Sequence, residues 1–313
     1  MSHMFYGCRS IKIFNISHFN TSSVKDFSYM FSNCNSITDL DLTNFDTTSC
    51  TNMNYMFYNC EQLKSINLSS FNTKNVKTMK YIFGSCNQLD SLDLTNMNIS
   101  SVQYMDGMFS NFSSLKPIDI SHFDTSSVIS MSYLLSGFKN PLPEIYFFNI
   151  SSLKNIGGLF SNLNITDFKN YTLFDTSKIT NMAYMFADCI NLESFDFSQL
   201  NTSSVTYISW FFSNCIKLKS INFNNFDSSK VESMNSMFYS CVSLISLNLS
   251  NFKTAKVTNM GYMFYDCRNL QMLNLSNFET SKVNNMEYML YGCEKLNSLE
   301  ISNLKTTEVI NMR

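Results

Sequence analysis

Charge is scarce in this chain: 15% of its 313 residues are charged and the formal net charge is -2. That balance gives no electrostatic reason to expect nucleic acid or an anionic membrane as partner. Three prolines and eight glycines leave no linker or hinge-like stretch. No run of ~18 apolar residues occurs, so nothing reads as a membrane-spanning helix. No GxSxG, HExxH, P-loop or closely spaced carboxylate pair is present, so catalysis has no residue candidate. The chain is expected not to be an enzyme and to need no cofactor and no metal. No signal-peptide pattern is read in these residues, and Ser2-His3-Met4 reads as a cloning remnant, so that residues 1–4 are expected to stand outside the fold. Neither end carries the polar cap that repeat arrays normally need. We therefore expect a piece of a longer array, with its signal and anchor elsewhere.

What the chain has is repetition. A Met-Phe-x-x-Cys-like motif starts at Met4, Met30, Met56, Ile82, Met108, Leu134, Leu159, Met185, Phe211, Met237, Met263 and Met289. Every step is 26 residues except the 25 from Leu134 to Leu159. A fixed period in this range signals stacked units that bury their apolar faces only against neighbours. It overrides the two domains that length alone would suggest. Residues 5–313 read as a single uncapped solenoid of about twelve 26-residue repeats, irregular at 138–174.

Within one unit, Val257, Met260, Met263, Phe264 and Cys267 fall on one side of a helical wheel. The spacing predicts a short α- or 3₁₀-helical segment there. A Ser stands before it in several units (Ser22, Ser126, Ser177, Ser203, Ser281), where an N-cap is wanted. Leu-x-x-Leu-x-Leu follows, and its last three residues alternate as a half-buried strand does. The ladder runs through Leu40/Leu42, Ile66/Leu68, Leu92/Leu94, Ile118/Ile120, Phe195/Phe197, Ile221/Phe223, Leu247/Leu249, Leu273/Leu275 and Leu299/Ile301. The expected fold is an α/β repeat. It is a leucine-rich-repeat-like solenoid with a parallel strand ladder on one side and short α/3₁₀ turns on the other. Between Phe138 and Phe174 the pattern fails. Pro141 and Pro143 stand where a strand should be, and the apolar residues around Tyr171 are out of register. A bulge or interruption is expected there.

Residues 247–267, Leu-Asn-Leu-Ser-Asn-Phe-x-Thr-x-Lys-Val-x-Asn-Met-x-Tyr-Met-Phe-Tyr-x-Cys, resemble the repeat of BspA-like leucine-rich surface proteins. Close relatives of that repeat occur in mycoplasma surface lipoproteins. The resemblance covers residues 5 to 312. It implies a cell-surface or secreted protein concerned with adhesion or antigenic display, and it brings no catalytic motif.

Several columns of residues invite a chemical reading. Nine of the ten cysteines (Cys8, Cys34, Cys60, Cys86, Cys189, Cys215, Cys241, Cys267, Cys293) share one repeat place, which elsewhere holds Phe112, Phe138 or Leu163. A place that exchanges Cys with Phe and Leu is an apolar core site, so buried reduced thiols are expected. Some bridges between ladder neighbours are the alternative, since neighbouring Cα atoms would be within disulfide reach. A threonine column (Thr21, Thr47, Thr73, Thr125, Thr176, Thr202, Thr254, Thr280, Thr306) exchanges with Ile99, Ile150 and Ser228. That points to a partly buried, methyl-inward place rather than to an ice-binding rank. A polar stripe of outward strand residues (Asn15, Asp41, Asn67, Asp93, Asp119, Asn170, Asp196, Asn222, Asn248, Asn274) reads as solvated, or as a broad protein-binding face. His18 and His122 stand in separate units and pair with no nucleophile. The Asn-x-Ser/Thr sequons follow from the repeat.

The best surface candidate is aromatic. Tyr29, Tyr55, Tyr81, Tyr133, Tyr184, Trp210, Tyr262 and Tyr288 share one place, interrupted by Gly107, Gly158 and Ser236. On the helical wheel it points away from the buried side, toward the convex face. Such a row could bind protein or sugar, or its rings could stack to cover the coils. The expected function is a non-enzymatic cell-surface binding or adhesion module. Its partner would be a host matrix protein, a glycan or another cell surface. A structural protein that stacks end to end is the alternative.

Overall fold

The computed structural model describes residues 1–13, 15–112, 118–138, 148–168 and 175–313. The chain forms two compact units, Met1–Leu153 and Lys154–Arg313. In each, a 26-residue coil is the building element, and successive coils pair in parallel at equivalent residues. In the first unit this pairing runs Asp26, Asn52, Thr78, Tyr104, Ser130; in the second it runs from Asn155 through Asn181 and onward to Asn311.

The expected strands exist but are short. β1 (Asp39–Asp41) pairs with β2 (Ser65–Asn67), β3 (Ser194–Asp196) with β4 (Ser220–Asn222), and β5 (Met272–Asn274) with β6 (Ser298–Glu300). All three pairs are parallel, with Leu40 opposite Ile66, Phe195 opposite Ile221 and Leu273 opposite Leu299. At Leu92/Leu94 and Ile118/Ile120 no strand forms, yet Leu94, Ile118 and Ile120 are buried. The apolar period therefore holds where the ladder of hydrogen bonds does not. Leu299 and Ile301, read from the sequence as ladder residues, are 39% and 44% exposed.

The helical segments do not form. Among the described residues the only helix is a three-residue 3₁₀ turn, Phe197–Gln199, just after β3. What stands in the expected place is a chain of overlapping β-turns. Met30 N–H donates to Phe27 C=O, Ser32 N–H to Tyr29 C=O and Cys34 N–H to Phe31 C=O. The intervening N–H groups leave the coil. Those of Phe27, Tyr29, Phe31 and Asn33 donate to Asn52, Asn54, Met56 and Tyr58 of the next coil, each at 2.9 Å. The reason lies in two residues per coil with positive φ: Tyr29 at 58° and Asn33 at 60°. Each is the third residue of a turn, and a type II turn needs φ above zero there. A left-handed residue cannot continue a right-handed helix. The residues with helical spacing are buried although no helix forms, because a run of turns buries alternate clusters much as a helix does.

Asn and Asp make the other corners. Asp26, Asn52, Asn155, Asn181, Asn259 and Asn285 each accept, through the side chain, the N–H two residues on. The polar stripe does the same: Asp41, Asn67, Asp93, Asp119, Asn222, Asn248 and Asn274 each close such a turn. Short polar side chains that bond their own backbone favour turns over helices. Ser22, Ser126, Ser177 and Ser203, expected as helix caps, instead donate their N–H to Asn20, Asp124, Asp175 and Asn201.

The core is built in columns. Phe31, Phe57, Phe83 and Phe109 are fully buried and their rings stack from coil to coil at 5.8 to 6.3 Å. Thr47 is also fully buried. Its hydroxyl donates to Asn72 C=O at 3.0 Å and accepts from Asn72 N–H at 2.7 Å. Thr21, Thr202, Thr254 and Thr280 make the same two-way rung with the coil that follows. That use of the hydroxyl leaves no free threonine rank for ice. Pro141, Pro143, Asn170 and Tyr171 lie outside the described residues.

Candidate binding surface

The aromatic column sits on the left-handed corner of each coil. Tyr29, Tyr55, Tyr81, Tyr133, Tyr184, Trp210, Tyr262 and Tyr288 all have φ between 51° and 61°. Aromatic residues rarely adopt this region, at a cost of roughly 1–2 kcal/mol each. Gly107 and Gly158, which interrupt the column, have φ of 60° and 64°. The same is true four residues on, where Asn33, Asn59, Ser85 and Asn111 are left-handed and Gly137 and Gly292 replace them. Exchange with glycine was the sign of a left-handed corner, and it was present in the sequence.

The rings stack on one another. Tyr29 and Tyr55 lie 4.6 Å apart at 6°, Tyr55 and Tyr81 5.0 Å at 11°, and Tyr184 and Trp210 5.7 Å at 6°. Tyr262 and Tyr288 are 5.3 Å apart but tilted by 40°. Seven of the eight are half-buried and Tyr184 is 37% exposed. The breaks at Gly107 and Ser236 are closed by neighbours. A Cβ on Gly107 would fall 2.1 Å from the Tyr81 ring, so that ring occupies the missing place. Ser236 is fully covered. His3 holds the same corner in the first coil, with φ of 60°, and stacks on Tyr29 at 4.6 Å. Residues 3–8 thus follow the repeat geometry.

Burial, together with the neighbouring tyrosines and Asp106, raises the Tyr55 phenol above its usual value and pushes Tyr81 up to about 12. These hydroxyls stay neutral at any physiological pH. Beside Tyr81, Asp106 is 7% exposed and accepts from Ser130 Oγ and Ser132 N–H. Lys80 Nζ reaches Asp106 at 3.0 Å and lies over the Tyr104 ring. This buried polar group was not anticipated, since its repeat place holds Ser, Asn, Lys, Gly, Ala and Glu in other coils and gave no signal.

A second aromatic column was also missed. Tyr58 wedges edge-on between Tyr55 and Tyr81. In the second unit Tyr239, Tyr265 and Tyr291 stack at 4.7 and 5.0 Å, and Tyr239 leans on Trp210 at 5.5 Å. Tyr291 is 57% exposed. This column repeats every 26 residues, three positions after the first, and the same periodic scan would have found it.

The other candidate places offer less. On the strand face, hydrogen bonds from backbone and hydroxyl groups two residues on hold Asp41, Asp93 and Asp119 below the usual carboxylate range. A surface depression of about 330 Å³ lies over β3 and β4, floored by Phe195 and Ile221. His122 Nε2 lies 3.0 Å from Leu94 C=O, and His18 packs edge-on against Phe19. Among the described residues no three His, Cys, Asp or Glu side chains are grouped to hold a metal ion. All ten cysteines are free. Each of Cys34, Cys60, Cys86, Cys189, Cys215, Cys241, Cys267 and Cys293 donates its S–H to the carbonyl 29 residues earlier. Burial pushes the Cys34 thiol up to about 11 and Cys86 and Cys189 up to about 12, which makes them poor nucleophiles.

Residues 1–92, 88–170, 164–272 and 219–313 match a family described as "Mycoplasma protein of unknown function, DUF285". The chain belongs to this family. The likeness read from the Tyr-Met-Phe-x-x-Cys repeat, to BspA-like surface proteins with mycoplasma relatives, holds. Among solved structures, this DUF285 chain is similar to a leucine-rich repeat protein from Bacteroides ovatus at 17% identity and a TM-score of 0.40, over 98% of this chain and 77% of that one. It is similar to a leucine-rich cell surface protein from Faecalibacterium prausnitzii, also at 17% and 0.40, over 86% and 84% of the two chains. A third similarity, at 15% and a TM-score of 0.28, is to the functional domain of InlJ from Listeria monocytogenes, described as including a cysteine ladder; it covers 89% of this chain and 58% of that one. These likenesses are distant. No curated protein matches the sequence. Among the described residues, no helix of this family member is long and apolar enough to cross a membrane.

Proposed function

We propose that the protein is a non-enzymatic binding module of a cell surface, and that its aromatic columns meet a protein or glycan on another cell or on matrix. The observation that carries this reading is the presentation of stacked rings at fixed spacing, with Tyr184 open to solvent beside Trp210 and Tyr291 open to solvent at the end of the second column. Tyr and Trp contribute large contact area and a polar tip with few rotamers to freeze, and they dominate binding hot spots. Rings already held by coil-to-coil stacking lose little further freedom on binding. A cell-surface or secreted location follows from the same reading.

The test is solid-phase binding of the protein to a panel of matrix proteins and immobilised glycans, beside the double variant Tyr184→Ser and Trp210→Ser. Serine is tolerated at this corner, since Ser236 holds it with φ of 56°. Binding that the variant loses at unchanged thermal stability supports the aromatic surface. Binding that it retains moves the site away from this pair, to the first unit's column or to the strand face. No binding to any member of the panel overturns the reading.

A further inference from the structure

Resting on that proposal, we infer that the ligand of the first unit's column is an extended, uncharged polysaccharide, bound edge-on with one sugar for each coil. The column Tyr29, Tyr55, Tyr81 repeats at 4.6 and 5.0 Å with planes within 11°. Each ring face between coils is covered by the next ring, so flat stacking of a sugar on a face is closed off along the run. What remains outward are ring edges and phenol hydroxyls. Among the described residues no group hydrogen-bonds these three hydroxyls, and none of them is a buried orphan. They form a short row of neutral donors on a rigid frame.

Register selects the ligand. An extended peptide presents groups on one side about every 6.8 Å. Laid along the column, it falls out of step with rungs near 5 Å after a single coil. An extended β-1,4-linked pyranose chain advances per sugar by nearly the separation of two neighbouring rungs; because alternate sugars are turned over, it offers opposite edges to successive rungs and the same edge to every second one, and it stays in step along the run. Charge points the same way. The residues just before the three tyrosines are Ser28, Asn54 and Lys80, and Lys80 is neutralised by Asp106 at 3.0 Å. No excess of one sign is offered to a sulfated or otherwise charged chain.

The experiment is calorimetric titration with chito- and cello-oligosaccharides as di-, tetra- and hexasaccharides, on the protein and on the triple variant Tyr29→Phe, Tyr55→Phe, Tyr81→Phe. Phenylalanine keeps the stacked ring and removes only the hydroxyl, so folding is preserved, which a thermal melt confirms. The expected result is affinity that rises from di- to tetrasaccharide and then levels off, because three rungs are filled. The triple variant should bind about tenfold more weakly or worse. Absence of binding by either series, or equal binding by the variant, overturns the inference. If matrix proteins still bind and that binding is lost in the Tyr184→Ser, Trp210→Ser variant, the glycan inference falls and the module reading stands. If nothing binds at all, both fall.

Discussion

Two aromatic columns run side by side through the first unit, and they differ in almost everything except period. The phenylalanine column (Phe31, Phe57, Phe83) and the tyrosine column (Tyr29, Tyr55, Tyr81) lie two residues apart on the same turns. Both stack from coil to coil with planes within about ten degrees of parallel. The phenylalanines are fully buried and do not have positive φ; the tyrosines are half-buried and sit on left-handed corners. The lesson is that stacking alone does not separate stability from function. Area removed from water makes the first column the core, while the second spends backbone strain to hold polar-tipped rings at the surface.

The largest expected effect is on the interior as a whole. The thiols of Cys34, Cys50, Cys86 and Cys189 are raised from a usual value of 9.0 to about 11 or 12 by burial. A raised pKa gives stability that is complete below pH 9 and is lost as pH climbs toward the folded value. Circular dichroism should show no change between pH 7 and pH 8 and cooperative unfolding between pH 9 and 12; a signal flat to pH 12 would contradict the buried-thiol picture.

Next comes Phe57→Ala, which should cost about 3–5 kcal/mol in urea unfolding, against much less for Tyr55→Ala. Comparable losses at both positions would erase the distinction between the columns. Thr47→Val keeps the shape but leaves the Asn72 N–H and C=O without their rung, for an expected cost of about 1–3 kcal/mol. Gly107→Ala must place a Cβ at φ of 60° and displace the Tyr81 ring, at about 1–2 kcal/mol. A neutral outcome there would mean that Tyr81 is not held as described. The smallest effect is Tyr55→Phe, expected within about 0.5 kcal/mol of the parent, because its hydroxyl serves no protein partner.

Much of the coil was legible in the sequence. The exchange of Cys with Phe112 and Phe138 identified an apolar place, and the thiols are indeed free and mostly buried. The Leu-x-Leu alternation identified a parallel ladder in one-coil register, seen at Leu40–Ile66 and Leu273–Leu299. The helical segment was misread because spacings of three and four fit a run of β-turns as well as a helix. Glycine at positions 107 and 158, and Asn, Asp or Gly before the cysteine, carried the correction. Asp106 and its partners could not be read, since Ser130 and Ser132 lie a full coil away in sequence and only the stacking brings them together.

The sequence by itself determined the period, the identity of the buried columns and the reduced state expected of the thiols. Each follows from which residue types exchange at one repeated place, a local property of the pattern. Tertiary structure alone decided that N–H groups of alternate residues leave the turn for the next coil, that the threonine hydroxyl serves two backbone groups of its neighbour, and that the tyrosine rings close on one another. Those outcomes depend on the distance between coils, and a distance between chain segments 26 residues apart has no expression in the sequence until the coils stack.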